Sequence, residues 1–159
     1  EEIPIASGPW EAAAFTSDSR RLILASQDGT ILVLNAQTFE LERSFAFGEW
    51  IVRLRVAAGD QVLALGATGI TALDLRTGLA LWSCPTAGSA LDLTPDGSYV
   101  ITLDRGEWVA FEALTGREIR WPGRDSKDPA WSISVASDDT AVSFLDDRLV
   151  ITTIPPLGS

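Results

Sequence analysis

Histidine is absent from this chain of 159 residues, and cysteine occurs once, at Cys84. A Ser-His-Asp or Cys-His arrangement therefore cannot form, and a single cysteine cannot build a zinc site. The doublets Asp138-Asp139 and Asp146-Asp147 lack the alternating acidic pattern with a central glycine that calcium loops use, so solvated turns are the simpler interpretation. The sequence accordingly predicts no enzyme activity, no catalytic residue, no metal and no cofactor.

Long hydrophobic runs are also missing, since the apolar stretches are strand-sized and a membrane span needs ~18 to 20 residues. The net charge of −10 repels phosphate backbones and anionic lipid, so we expect neither nucleic-acid nor membrane binding. A soluble protein is expected, with the cytoplasm slightly favoured and the compartment otherwise unknown. Because the chain does not begin with Met, a removed leader or an excised fragment is equally compatible with the sequence.

What the chain does contain is an internal repeat. Turn threonines fall at Thr38, Thr77 and Thr115, at spacings of 39 and 38 residues, and each lies in a similar segment: NAQTFE, DLRTGL or EALTGR. Periods of ~20 to 50 residues are typical of solenoids and propellers. Each period holds short β-prone runs separated by turns rich in Gly, Asp and Ser, which predicts four strands, a to d, per unit. The predicted units are 12–45, 51–83, 90–121 and 132–154.

The fourth unit lacks a strand d, because it stops at Pro155-Pro156. A spare strand, 3–6, precedes the first unit, and Pro4 suits it to a sheet edge. We therefore expect an all-β propeller of four four-stranded antiparallel blades per chain, forming one domain over 1–159, with the N-terminal strand completing the last blade. That strand could come from the same chain, or be exchanged within a homodimer to give an eight-bladed ring. A fragment of a longer propeller is the third alternative.

The segments DGTILVLNAQTFE and LTPDGSYVIT resemble strand-turn-strand segments of bacterial WD-repeat propellers. DLRTGLALW and EALTGREIRW are also similar to quinoprotein-type (PQQ-like) propeller repeats. The resemblance implies a β-propeller that acts as an interaction scaffold. The chain departs from the WD pattern, because it has no Gly-His element and replaces Trp-Asp by Leu34-Asn35, Leu73-Asp74 and Phe111-Glu112. It also lacks the vicinal cysteine pair of quinoprotein dehydrogenases, which argues against a quinoprotein-like oxidoreductase.

Six tryptophans are many for this length. Three of them, Trp82, Trp108 and Trp121, fall on predicted strands c or d and are expected to pack between blades. Trp10, Trp50 and Trp131 each follow a turn immediately before a predicted strand a, so they fall at or near one rim of the ring. An aromatic rim could bind a peptide or a flat ligand, whereas the alternative is that these rings fill gaps between blades.

Two arginines, Arg53 and Arg55, alternate on the predicted innermost strand IVRLRV and therefore share one face. Aligning the units on their a-to-b turns puts Ala14, Asp92 and Ser134 at the place of Arg55. An ion pair between Arg55 and Asp92 of the next blade is one interpretation, and an anion site in the central channel is the other.

The longest loop, 122–129, carries Arg124 and the only lysine, Lys127, and it is either a binding loop or a tolerated insertion. We expect a non-enzymatic module that binds a protein or peptide through its loop rim, with basic partners favoured by the acidic surface. The alternative function is a small-ligand sensor that uses the central channel.

Overall fold

The structure, a computed structural model, describes residues 9–57, 59–86, 88, 90–104, 107–120, 130–135, 140–145 and 148–153. It describes only the backbone of the strand residues 103, 107, 120, 130–133, 140–145 and 148–153. Several predicted features lie outside these ranges: the strand 3–6, the loop 122–129 with Arg124 and Lys127, Trp121, both acidic doublets, and Pro155-Pro156.

The chain forms two compact units, residues 1–83 and 84–159. In the first unit, sheet 1 consists of β1 (Trp10–Phe15), β2 (Arg21–Ser26), β3 (Thr30–Asn35) and β4 (Leu41–Ala46), and sheet 2 consists of β5 (Ile51–Ala57), β6 (Gln61–Gly66), β7 (Gly69–Asp74) and β8 (Ala80–Pro85), whose last residues enter the second unit. In the second unit, sheet 3 consists of β9 (Leu91–Leu93), β10 (Tyr99–Asp104), β11 (Glu107–Glu112) and β12 (Glu118–Arg120), and sheet 4 of β13 (Ala130–Val135), β14 (Thr140–Leu145) and β15 (Arg148–Thr153).

The all-β architecture is confirmed, because the described residues contain strands and no helix. Among the residues that the structure describes, neighbouring strands pair antiparallel in chain order, with four strands in sheets 1 to 3 and three in sheet 4. The described strands of sheets 1 to 4 span 10–46, 51–85, 91–120 and 130–153, beside predicted repeats of 12–45, 51–83, 90–121 and 132–154. The expectation of one four-bladed domain over 1–159 stays a prediction, because each of the two compact units is defined by the contacts within it.

The core of the first unit lies between sheets 1 and 2. The middle strands supply most of it: Ile23 and Ala25 from β2, Ile31 and Val33 from β3, and Val62 and Ala64 from β6 are almost fully buried. All six residues of β6 are buried, because this strand is covered on both faces. β4 is mostly exposed, as expected for an outer strand. Burial of these apolar side chains, at ~25 cal/mol per Å², is what holds the two sheets together.

Turns of one design connect strands a and b in sheets 1 and 3. Thr16 donates from Oγ1 to Asp18 Oδ1 at 2.6 Å, and Thr94 donates to Asp96 Oδ1 at the same distance. Each threonine hydroxyl also accepts the amide that opens the next strand, from Arg21 or Tyr99, at 3.0 Å. The hydrogen bonds hold the pKa values of both aspartates below their ordinary value. The turn residue in the left-handed region is Ser19 (φ 57°) in one case and Gly97 (φ 71°) in the other.

Candidate functional site

A β-bulge near the start of strand a decides where the three predicted rim tryptophans lie. The register shifts between Trp10 and Ala12 in β1, between Ile51 and Arg53 in β5, and between Ala130 and Ser132 in β13. Trp50 lies one residue before the first paired residue of β5. Trp10 is the first paired residue of β1. Trp131 is the extra, unpaired residue of the bulge in β13. The three tryptophans occupy three successive register positions rather than one equivalent position.

The surroundings of these tryptophans differ as well. Trp10 is half-buried and packs against a small cluster on sheet 1, formed by Leu24, Leu32 and Leu34. Trp50 is 51% exposed, in the connection between sheets 1 and 2. The backbone of Trp131 lies in β13 of the second unit. A common rim of three tryptophans stays a prediction.

The predicted alignment of Arg55 is reproduced by the strand register. Arg55, Ala14, Asp92 and Ser134 each pair with the corresponding residue of strand b: Leu63, Ile23, Ile101 and Val142. Within the first unit, Arg53 Nη1 donates to Val52 O at 2.9 Å and Arg55 Nη1 donates to Leu54 O at 2.9 Å. In the second unit, Asp92 Oδ2 accepts from the Val135 amide at 2.9 Å, which links sheets 3 and 4. The Arg55–Asp92 pair and the channel anion site both stay predictions.

An open groove of about 590 Å³ lies in the first unit. One wall is the connection from β4 to β5, with Phe47, Gly48 and Glu49; the rest comes from β7, β8 and their turns, with Thr68, Thr71, Leu73, Gly78, Ala80 and Ser83. The lining mixes hydroxyl groups, one carboxylate and apolar surface. Trp50 directly follows the wall residue Glu49 in the chain; its side chain is exposed and does not itself line the groove.

Glu49 fixes the groove wall in place. Its Oε1 accepts from Thr68 Oγ1 at 2.9 Å and its Oε2 accepts from the Thr68 amide at 3.2 Å. Gly29 and Gly66 leave the space that this loop occupies, because a Cβ at either position would come within 2.5 Å of Glu49 O or Oε1, respectively. Gly29 has φ +80° and its carbonyl accepts from the Phe47 amide at 2.7 Å. Two b-to-c turns therefore hold a single loop.

A second, smaller pocket of about 170 Å³ also lies between sheets 1 and 2, and sequence reasoning missed it. Its lining consists of Arg21, Val33, Arg43, Asp60, Leu75 and Arg76. Three of the eleven arginines of an acidic chain therefore meet at one place. Arg21, Arg43 and Arg76 are far apart in the sequence, so no local pattern predicts that they meet. Their proximity could have been predicted only by placing the turns of neighbouring repeats side by side.

Ion pairs hold part of this arginine pocket. Arg21 Nε donates to Glu42 Oε2 at 2.9 Å and its Nη1 lies 3.6 Å from Asp60 Oδ2. The hydrogen bond to Glu42 raises the pKa of the Arg21 guanidinium. Arg43 Nη1 donates to the carbonyl of Arg76 at 2.5 Å, and Arg76 Nη2 lies 3.9 Å from Asp74 Oδ2.

In the part of the chain that the structure describes, no group of three His, Cys, Asp or Glu side chains could hold a metal ion. The expectation that the protein is not an enzyme stays a prediction. Burial raises the pKa of the Cys84 thiol, which disfavours the nucleophilic thiolate. No helix among the described residues is long and apolar enough to cross a membrane.

Comparison with known proteins gives the fold. No protein-family model matches the chain, and no curated protein matches it by sequence. Among solved structures, the computationally designed protein Ika4 is 20% identical with a TM-score of 0.74, over 97% of this chain and 96% of that one. The C-terminal WD40 domain of Sif2 (16% identity, TM-score 0.77) and the β-propeller domain of Cps50 (Swd1) from Myceliophteria thermophila (12%, 0.76) are matched over 95% and 92% of this chain.

The chain spans 48% of the Sif2 structure and 53% of the Cps50 structure, about half of each. At these identities the likeness concerns the fold alone, and it shows that the chain has the β-propeller fold. The predicted bacterial origin and quinoprotein-type character stay predictions.

Proposed function

We propose that the protein is a non-enzymatic interaction module that binds a segment of another protein in the groove beside Trp50. The observation that carries this proposal is the exposed side chain of Trp50, next in the chain to Glu49, which lines a groove of about 590 Å³. Grooves of this size, with apolar surface and a few placed polar groups, suit a short peptide. Tryptophan is enriched among the residues that dominate binding energy at protein interfaces. The WD40 neighbours fit this reading by analogy of fold.

The partner segment should be basic with at least one large apolar side chain. The net charge of −10 attracts basic partners and speeds their association. The apolar lining, including Phe47 and Leu73, would receive the apolar side chain, and the hydroxyls of Thr71 and Ser83 would bind polar groups of the peptide.

A displayed library of 12-residue peptides selected against the whole chain tests the proposal. Selected peptides should be basic, and Trp50→Ala should weaken their binding at least tenfold, because loss of a buried interface tryptophan costs about 2 kcal/mol or more. Leu114→Ala is the matched control, since Leu114 is 71% exposed and lies in the other unit. Equal binding by Trp50→Ala and the unmodified chain, measured by anisotropy of a labelled peptide, would refute the proposal, as would a library that yields no specific peptide.

We propose further that each chain contributes four blades and that strand 3–6 completes sheet 4, within the same chain or in a homodimer. The described order of sheet 4 supports this closure, because the sheet ends at its third strand, β15, whereas sheets 1 to 3 each have a fourth strand. A solution mass near the chain mass of 17.0 kDa would exclude the dimeric ring, and twice that value would support it.

A further inference from the structure

The arginine pocket of the first unit is separate from the groove beside Trp50, and nothing in the repeat requires it. Arg21, Gln61 and Tyr99 hold equivalent positions, each opposite the last residue of a strand c: Asn35, Asp74 and Glu112. Arg76 lies two residues after Asp74, and the corresponding residues after the third strands of sheets 1 and 3 are Gln37 and Leu114. The scaffold therefore folds without arginine at these places, and the cluster calls for an explanation other than repeat structure.

The charges in the pocket are unevenly satisfied. Arg21 is held by Glu42 and Asp60. Arg43 donates to a carbonyl, and among the residues that the structure describes no carboxylate lies within 4.0 Å of its guanidinium. The 3.9 Å separation between Arg76 and Asp74 is too long for a hydrogen bond, and the Arg76 side chain is 74% exposed. Arg43 and Arg76 thus keep N–H groups available at a pocket floored by the buried side chains of Val33 and Leu75.

The shape and chemistry restrict what can bind. A volume of about 170 Å³ holds about six water molecules, and it is below the roughly 300 Å³ at which pockets for drug-sized ligands begin. Guanidinium groups bind tetrahedral and planar oxyanions through paired N–H donors, and they bind phosphate especially well. Since Asp60 also lines the pocket, an anion must contact Arg43 and Arg76 from the side away from that carboxylate.

We propose that this pocket binds a phosphate group through the guanidinium groups of Arg43 and Arg76, with Arg21 as a fixed third cation. The phosphate is either free inorganic phosphate or the phosphoryl group of a modified serine in a protein segment. This site does not depend on the groove beside Trp50, so either proposal can fail without the other.

Titration of the ¹⁵N-labelled full chain with inorganic phosphate tests the site, with sodium chloride at matched ionic strength as the control. The amide signals of Leu75 and Arg76 and the side-chain Nε–H signals of Arg43 and Arg76 should shift and saturate at millimolar phosphate. Arg43→Gln and Arg76→Gln should each weaken binding at least tenfold. Arg20→Gln is the matched control, because the Arg20 side chain is 85% exposed and does not line the pocket, so it should change binding less than twofold.

Three outcomes would overturn the proposal: no saturable shift, an equal loss in Arg20→Gln, or full affinity in Arg43→Lys, which keeps the charge without the planar donor pair. Unchanged thermal midpoints show that the variants fold. A phosphoserine peptide and its unphosphorylated counterpart separate the two sources. Binding of the phosphopeptide at least tenfold tighter than inorganic phosphate assigns the site to a modified protein, and equal affinity assigns it to the free anion.

Discussion

Substitution of Gly29 by alanine should destabilise the fold through the loop that forms the groove wall. Gly29 lies in the b-to-c turn of sheet 1 with φ +80°, and a Cβ there would stand 2.5 Å from Glu49 O and 2.9 Å from Glu49 N. These are backbone atoms, so no side-chain rotation relieves the contact. The loop would have to move away, which also stretches the 2.7 Å hydrogen bond from the Phe47 amide to the Gly29 carbonyl.

Two contributions set the magnitude. The left-handed conformation costs alanine about 1–2 kcal/mol, and the lower entropy of the unfolded variant returns about 0.4–1 kcal/mol, which leaves a net loss of about 1 kcal/mol. Steric crowding of packed atoms adds about 1–3 kcal/mol. Gly29→Ala should therefore lose about 2–4 kcal/mol. Gly48→Ala isolates the first contribution, because Gly48 has φ +88° and nothing lies within 4 Å of the added Cβ.

Urea unfolding followed by circular dichroism measures both variants, with the difference between them reporting the close approach alone. A third variant, Gly66→Ala, brings its Cβ against the Glu49 carboxylate rather than the backbone. That side chain can turn away, so the loss should be smaller than for Gly29→Ala. If Gly29→Ala and Gly48→Ala agree within about 0.5 kcal/mol, the contact with Glu49 does not constrain the loop and the reasoning fails.

Two further predictions concern the turns between strands. Ser19→Gly should stabilise the protein by up to about 1 kcal/mol, because Ser19 has φ 57° where the equivalent residue of sheet 3 is Gly97; Ser17→Gly is the control, and a loss of stability in Ser19→Gly, measured by urea unfolding, would contradict this account. Stability should also fall below about pH 4, since the hydroxyls of Thr16, Ser26 and Thr94 lower the folded-state pKa values of Asp18, Asp28 and Asp96. This stabilisation is present above the unfolded-state pKa and is lost as the pH falls through the folded-state pKa. The triple variant with Asn in place of Asp18, Asp28 and Asp96 should therefore lose less of its urea midpoint on acidification. An unchanged acid dependence would show that these aspartates are not its cause.

The strands were predictable because their ends are fixed by local hydrogen bonds. Asn35 Oδ1 accepts from the amides of Gln37 and Thr38, at 2.9 and 3.0 Å, and Asp74 Oδ1 accepts from Arg76 and Thr77, at 2.7 and 2.9 Å. Such side-chain to backbone bonds span two or three residues, so they can be read from adjacent letters of the sequence. The threonines whose spacing revealed the repeat lie in these turns.

The candidate sites were less predictable because they depend on details that local patterns do not carry. Trp10, Trp50 and Trp131 all stand near the start of a strand a, yet they hold three successive positions relative to the bulge that these strands share. The proximity of Arg43 to the Arg76 carbonyl depends on how two sheets pack, over a separation of 33 residues. Sequence reasoning found the exposed Trp50 and missed the arginine pocket for this reason.

The bulges in β1, β5 and β13 have a consequence for how such a chain can change over evolutionary time. Pairing resumes after the extra residues Glu11 and Val52, so the remainder of each strand keeps its inward and outward faces. Deletion of one residue at these points removes the irregularity without reversing the faces downstream. The connection that precedes each innermost strand can therefore vary in length and aim while the core stays the same, and new recognition surfaces can arise there without a change in the scaffold.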